Sequence, residues 1–261
     1  MKLHVLIGGI DPFRIYIHED GFVYFTKEEY QLYLLLLNLK QNIYIPDPKK
    51  EKYTIVNDYN LTDISKGHIW NIELFKTYLN NSSYDVEGIF SNITNLIIKT
   101  FITYMVPERE FYKENEYSDK DRIDFKNFML FGCDIEFDSK MIPYIVKINK
   151  MPISKKSRLS QVSVIKEQIV RDQLNLIGLR NWNRNLTDDP YPDLVDEALC
   201  ETIRPIGGFV RAFPRKENIE YFRQFFNYTK SDLKFWIEIE GGDYDRIAKL
   251  KDFVSNNKNF D

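Results

Sequence analysis

FMLFGCDIEFDSKMIPYIVKINKMP, Phe128 to Pro152, reads as two extended runs joined by a polar turn. Met129 to Phe137 is apolar and aromatic, Asp138-Ser139-Lys140 supplies turn chemistry, and Ile142 to Ile148 is strongly β-branched. Together they predict a β-hairpin, a rigid two-stranded platform. Alternation along a strand puts Lys147 and Asn149 on one face and Ile148 on the other, and Asp134 joins them if the register permits. Asp134 and Asn149 carry the hard oxygen atoms that Mg²⁺ prefers. Lys147 does not fit that chemistry, because an ammonium donates three hydrogen bonds and cannot ligate a cation.

Working outward, 261 residues with 43% hydrophobic and 15% aromatic content argue for an ordinary folded protein with one substantial core or two small ones. A net charge of −3 gives no footprint for nucleic acid. Two cysteines, Cys133 and Cys200, and three histidines make neither a disulfide framework nor a zinc site, which suits a reduced, intracellular setting. Met1 to Ile10 reads as a first strand rather than a leader. The longest apolar block, Tyr33 to Leu37, is far below the roughly 18 to 20 residues of a membrane span, so no membrane partner is expected.

Upstream of the hairpin, Lys2 to Ile7, Phe13 to His18 and Phe22 to Phe25 are short strand-like runs separated by Gly8 to Pro12 and by Asp20-Gly21, which predicts an antiparallel meander. Thr26 caps a leucine-rich helix over Lys27 to Lys40. Gln41 to Asn57 is a loop, and Tyr59 to Lys66 reads as a helix N-cap region. Ile69 to Leu79 and Asp85 to Val106 carry helical periodicity, with Pro107 ending the longer helix before a charged excursion, Glu108 to Asp121. Downstream, Lys150, Lys155, Lys156 and Arg158 form a basic cluster around Pro152. Val162 to Leu179 is an amphipathic helix with Gly178 at its C-cap. A loop follows over Asn181 to Asp193, then a short helix from Leu194 to Arg204. PIGGFVRAFP, Pro205 to Pro214, holds the flexible Gly207-Gly208 pair, and Arg211 is expected to pair with Glu201 or to bind an anion. Short amphipathic helices over Glu217 to Asn227, Ser231 to Ile239 and Tyr244 to Val254 complete the chain.

The motif F-x-L-F-G-C-D-I-x-x-D followed by I-V-K-I-N-K-x-P resembles the signature hairpin of the tubulin tyrosine ligase-like family of ATP-grasp enzymes. The resemblance runs from His4 to about Phe226, through the strand and glycine-turn pattern HVLIGGIDPFRIYIHEDGFVYF, the helix ending at Gly178, and the glutamate, arginine, aromatic and proline residues of Glu201 to Pro214. It implies an α+β fold, an antiparallel sheet flanked by helices like the C-terminal lobe of an ATP-grasp fold, over residues 1–226, with residues 227–261 as a helical extension. It implies ATP and Mg²⁺ as cofactors, with Asp134 and Asn149 as metal or phosphate contacts and Lys147 where the family has a glutamate. Thr62 and Lys66 fall at catalytic positions, and Lys2, Lys150, Lys155, Lys156 and Arg158 at positions suited to an acidic substrate. Lys2 and Tyr24 replace two family arginines, Asn60 a histidine and Asp63 an asparagine. The family also has an upstream lobe that holds the adenine, and its sequence is not among these residues.

These substitutions lead to one principal expectation: a catalytically degenerate, tubulin- or microtubule-associated binding or structural module, cytoplasmic and cytoskeletal, in a cilium or flagellum among other settings. In such a module the Lys147 ammonium takes the place of magnesium between Asp134 and Asn149. The enzymatic alternative is a truncated or split ATP-dependent amino-acid ligase of the tubulin-glutamylating type. A third reading is a scaffold within a larger protein assembly, with Tyr228, Phe235 and Trp236 as partner contacts.

Overall fold

The computed structural model describes residues 1–25, 69–114, 128–150, 152, 160–178, 194–204, 206–225 and 227–241. Its centre is β1 (Lys2–Ile10), held between β2 (Phe13–His18) and β5 (Met129–Phe137) in a seven-stranded antiparallel sheet. β6 (Pro143–Lys150) pairs with β5, completing the expected hairpin, and β7 (Phe209–Phe213) pairs with β2. β3 (Phe22–Tyr24) and β4 (Ile69–Asn71) pair with one another beside the Lys2 end of β1. Among the described residues six α-helices accompany the sheet: α1 (Ile72–Asn81), α2 (Val86–Glu114), α3 (Ser160–Ile177), α4 (Leu194–Cys200), α5 (Ile219–Phe222) and α6 (Lys230–Gly241). The fold is α+β, as the sequence implies.

Alternation sends Leu3, Val5 and Ile7 of β1 to one side of the sheet, where they join Ile93, Ile97 and Phe101 of α2 and Phe235 of α6 in the larger core. On the other side, Leu6 and Tyr16 pack with Ile169 and Leu176 of α3, while Phe22 and Ile69 meet Val162. Helices therefore cover both faces. Phe235 and Trp236 belong to the larger core and Tyr228 is exposed beside Trp236, so two of the three aromatics considered as partner contacts are packed inside. No described helix is long and apolar enough to cross a membrane.

β2 has a polar face as well as an apolar one. Arg14 donates from Nε and Nη2 to the two carboxylate oxygens of Glu201 at 2.7 and 2.8 Å, and the Tyr16 hydroxyl donates to Glu201 Oε2 at 2.7 Å. Burial, then the Glu201 carboxylate, pushes the Tyr16 hydroxyl pKa well above its usual value. Glu201 thus takes Arg14 and Tyr16 as its partners, and Arg211, expected to pair with it or to bind an anion, has its guanidinium 5.8 Å from the Phe235 ring centroid. His18 accepts at Nδ1 from the Asp20 N–H, so its proton sits on Nε2, which faces Asp172 Oδ2 of α3 at 3.0 Å. Burial works to raise the Asp172 carboxyl, and hydrogen bonds from the Gly208 N–H, His18 and Gln168 outweigh it, holding the group below the usual carboxylate range. A Cβ on Gly207, at φ +56°, would lie 2.1 Å from Asp172 Cγ, and one on Gly208 would lie 2.6 Å from the His18 ring. The glycine pair serves close approach rather than flexibility.

Several other expectations are corrected. β2 and β3 do not make a meander with β1: both run antiparallel to β1, β3 meeting it at Lys2. Gly21 permits this, since a Cβ there would lie 2.5 Å from the Lys2 carbonyl oxygen. β1 also continues through Gly8-Gly9 to Ile10. Ile69–Asn71 is a strand, and the helix begins only after Asn71, whose side chain accepts from the Leu74 N–H at 2.7 Å. α2 passes through Pro107 to Glu114, and just beyond the proline Arg109 is anchored to Asp232 at 2.6 Å and to the Asn227 carbonyl at 3.1 Å. The helix of Lys27 to Lys40, the loops of 41–57 and 181–193, and the helix of Tyr244 to Val254 lie outside the described residues.

Candidate functional site

In the observed register Asp134 stands opposite Lys2 of β1 and Lys147 of β6, and Gly132 stands opposite His4 and Asn149. Directly opposed residues share a face. Lys2, His4, Asp134, Lys147 and Asn149 therefore gather on the side of the sheet that α3 covers. A bulge between Asp134 and Ile135 leaves Val146 as the extra residue of β6. Gly132 is bare for a reason: a Cβ there would lie 2.8 Å from Pro152 Cβ, so the proline at the hairpin's exit packs directly on it.

Asp134 is satisfied from within the chain. Lys2 Nζ lies 3.3 Å from its Oδ1, and Asn149 Nδ2 donates to its Oδ2 at 3.3 Å. The ammonium beside the carboxylate is thus that of Lys2, while Lys147 is exposed. Lys150, one residue beyond Asn149, is turned to the opposite side of the sheet, with Nζ 5.6 Å from the Tyr104 ring of α2. Thr62, Lys66, Lys155, Lys156 and Arg158 lie outside the described residues.

The surroundings record both signs of charge. Burial and then the Asp134 carboxylate push the Tyr24 hydroxyl and the Cys133 thiol each up to about 12. His4 is wholly buried, and neither ring nitrogen has a hydrogen-bond partner. Burial, helped by His18, Lys2 and Lys166, lowers its pKa to about 3, so the imidazole is neutral. Burial and then Lys2 also lower the Lys166 ammonium. Sequence reasoning passed over His4 and Lys166, although period-2 alternation from Lys2 does place His4 on the site's face.

A divalent ion does not fit this arrangement. Both carboxylate oxygens of Asp134 already face nitrogen donors, Asn149 presents its NH₂ rather than its carbonyl, and a second lysine stands opposite. Mg²⁺ requires near-octahedral oxygen ligation. Among the described residues no three histidine, cysteine, aspartate or glutamate side chains come together as a metal site.

The sequence that folds into this platform, its hairpin and α3 is matched by a family model. The model of the tubulin-tyrosine ligase family covers residues 1–184, and the chain belongs to that family. Among its relatives, the tubulin monoglutamylase TTLL4 of Homo sapiens is 27% identical over 182 residues, 68% of this chain and 14% of its own length. A probable beta-tubulin polyglutamylase of Tetrahymena thermophila is 26% identical over 289 residues, 95% of this chain and 23% of its own length. The tubulin polyglutamylase TTLL6 of Mus musculus is 24% identical over 221 residues, covering 83% and 24% respectively. The chain therefore spans less than a quarter of each of these three proteins.

Proposed function

We propose that this chain is a tubulin-directed member of its family acting as a binding or structural module, with its hairpin catalytically degenerate. The observation that carries the reading is the Lys2–Asp134 contact, backed by Asn149 and with Lys147 opposite. Neutralising the carboxylate inside the chain removes the anionic ligand that a triphosphate-bound cation needs. Tubulin as the partner, and with it a cytoskeletal location, is supported by the names of the relatives. Incubating the chain with tubulin, Mg²⁺, ATP and labelled glutamate tests the reading: the expected result is no incorporation above background, and incorporation overturns it.

The same names support a second reading, in which the chain is one part of an ATP-dependent glutamate ligase whose remaining parts lie elsewhere. Calorimetric titration of ATP with and without Mg²⁺ separates the two. The module reading expects no magnesium-dependent heat, and the ligase reading expects it.

A further inference from the structure

On the face of the sheet away from Asp134, a cleft of about 190 Å³ opens between three neighbouring strands and two helices. Leu3 of β1 and Ile17 of β2 form its floor, together with Val210 of β7, which stands opposite Ile17 and so shares its face. Ile72 of α1 and Phe90 and Ile93 of α2 make the apolar walls. The polar lining is Lys76 of α1, Thr94 of α2, Arg215 just beyond β7, and His18 and Glu19 at the end of β2. His18 is already committed to Asp172 and to the Asp20 N–H. The two cations are held at the rim: Lys76 Nζ lies 4.6 Å from the Phe90 ring centroid, and Arg215 donates from Nε to the Arg211 carbonyl. Among the described residues neither is paired with a carboxylate. Two positive charges thus stand against the single negative charge of Glu19, above an apolar floor.

We propose that this cleft binds a small amphipathic carboxylate, an acid with one aromatic ring or a short alkyl chain. Its apolar body lies on Leu3, Ile17 and Val210, and its carboxylate meets Lys76 and Arg215. Size limits the occupant: pockets for drug-sized ligands begin at about 300 Å³, whereas an apolar cavity of about 150 Å³ already holds a benzene ring. Charge complementarity selects its sign, since a cationic or neutral amphiphile would leave both rim cations without an anion. The apolar floor gives an inorganic anion nothing to bury. The site is separate from the tubulin and nucleotide readings, because Lys2 and Asp134 occupy the opposite face of the sheet.

Titration calorimetry of the full chain with 4-phenylbutyrate, its neutral amide 4-phenylbutyramide and inorganic phosphate tests it. The expected result is a Kd of about 0.1 to 1 mM for the acid, binding of the amide weaker by about fivefold or more, and no heat from phosphate. Lys76→Gln should weaken binding of the acid by about fivefold. Glu19→Gln should tighten it by about twofold, a gain that damage to the fold would not produce. Glu19 is exposed and Lys76 half-buried, so both variants should keep the wild-type circular dichroism spectrum. Thr94→Phe, which fills the cleft from a half-buried position on α2, should remove binding. Equal binding of acid and amide, binding of phosphate as tight as that of the acid, or no binding of the acid at about 5 mM overturns the proposal. So does binding of the acid that is unchanged in Lys76→Gln and Glu19→Gln, or retained in a folded Thr94→Phe variant.

Discussion

Lys147 and Asn149 could be placed on one face from the alternation of a strand alone, because that rule is local, and Asp134 joins them through the β5–β6 register. The identity of the cation against Asp134 could not. It depends on the pairing of β5 with β1, strands well over a hundred residues apart in sequence, which sets Lys2 rather than Lys147 beside the carboxylate. His4 provides the clearest test at this scale. Its folded pKa of about 3 lies below the ordinary 6.5, so between those values the unfolded chain binds a proton that the folded chain does not. Stability attributable to His4 is therefore complete above pH 6.5 and is lost as pH falls toward 3, by up to about 1.4 kcal/mol per pH unit. Urea denaturation of the wild type and His4→Leu from pH 7.5 to 4 should show a shallower acid loss in the variant. Parallel pH profiles would refute a buried, proton-poor histidine.

Elements were legible where the signal is local. The β5–β6 hairpin, the span of α3 and the cap at Gly178, whose φ is +67°, all follow from patterning and turn chemistry. Misreadings arose where a distant contact overrides a local rule. Pro107 forfeits a helical hydrogen bond, at about 3 kcal/mol, yet α2 continues to Glu114, and Arg109 two residues on is tied to Asp232. β7 was not anticipated as a strand, because PIGGFVRAFP stands out in the sequence for its Gly207-Gly208 pair and Arg211; its pairing with β2 decides the matter. The Gly207-Gly208 turn beside it shows what glycine does there. Gly207→Ala should cost roughly 2 to 4 kcal/mol by chemical denaturation, from the left-handed backbone and the collision with Asp172. Gly241→Ala, where a Cβ meets nothing within 4 Å, should stay within about 0.5 kcal/mol. Equal effects at the two sites would contradict the close-approach reading.

Across the whole molecule, buried polar contacts join segments far apart in sequence. Asp232 of α6 is wholly buried and accepts from the Phe13 N–H, the Thr229 N–H and Arg109, connecting the start of β2 to the late helix and to α2. Asp232→Ala would remove the nearer of two carboxylates facing Arg109, Asp11 remaining at 3.8 Å, and would take the acceptor from the Phe13 and Thr229 N–H groups, so stability should fall by about 3 to 5 kcal/mol. Thermal melting checks this, and a variant within about 1 kcal/mol of the wild type would show that the contact is dispensable. Composition and length bounded the fold class but gave no view of these connections, since each depends on tertiary proximity. On the function proposed above, Lys2 serves as the counter-ion of Asp134, and the site does not need a metal. Electron paramagnetic resonance of Mn²⁺ added to the full chain, with and without ATP, measures this most directly. The account predicts that the free Mn²⁺ signal is the same with protein as with buffer or with ATP alone. A stoichiometric loss of that signal in the wild type, absent in Asp134→Asn, would contradict it.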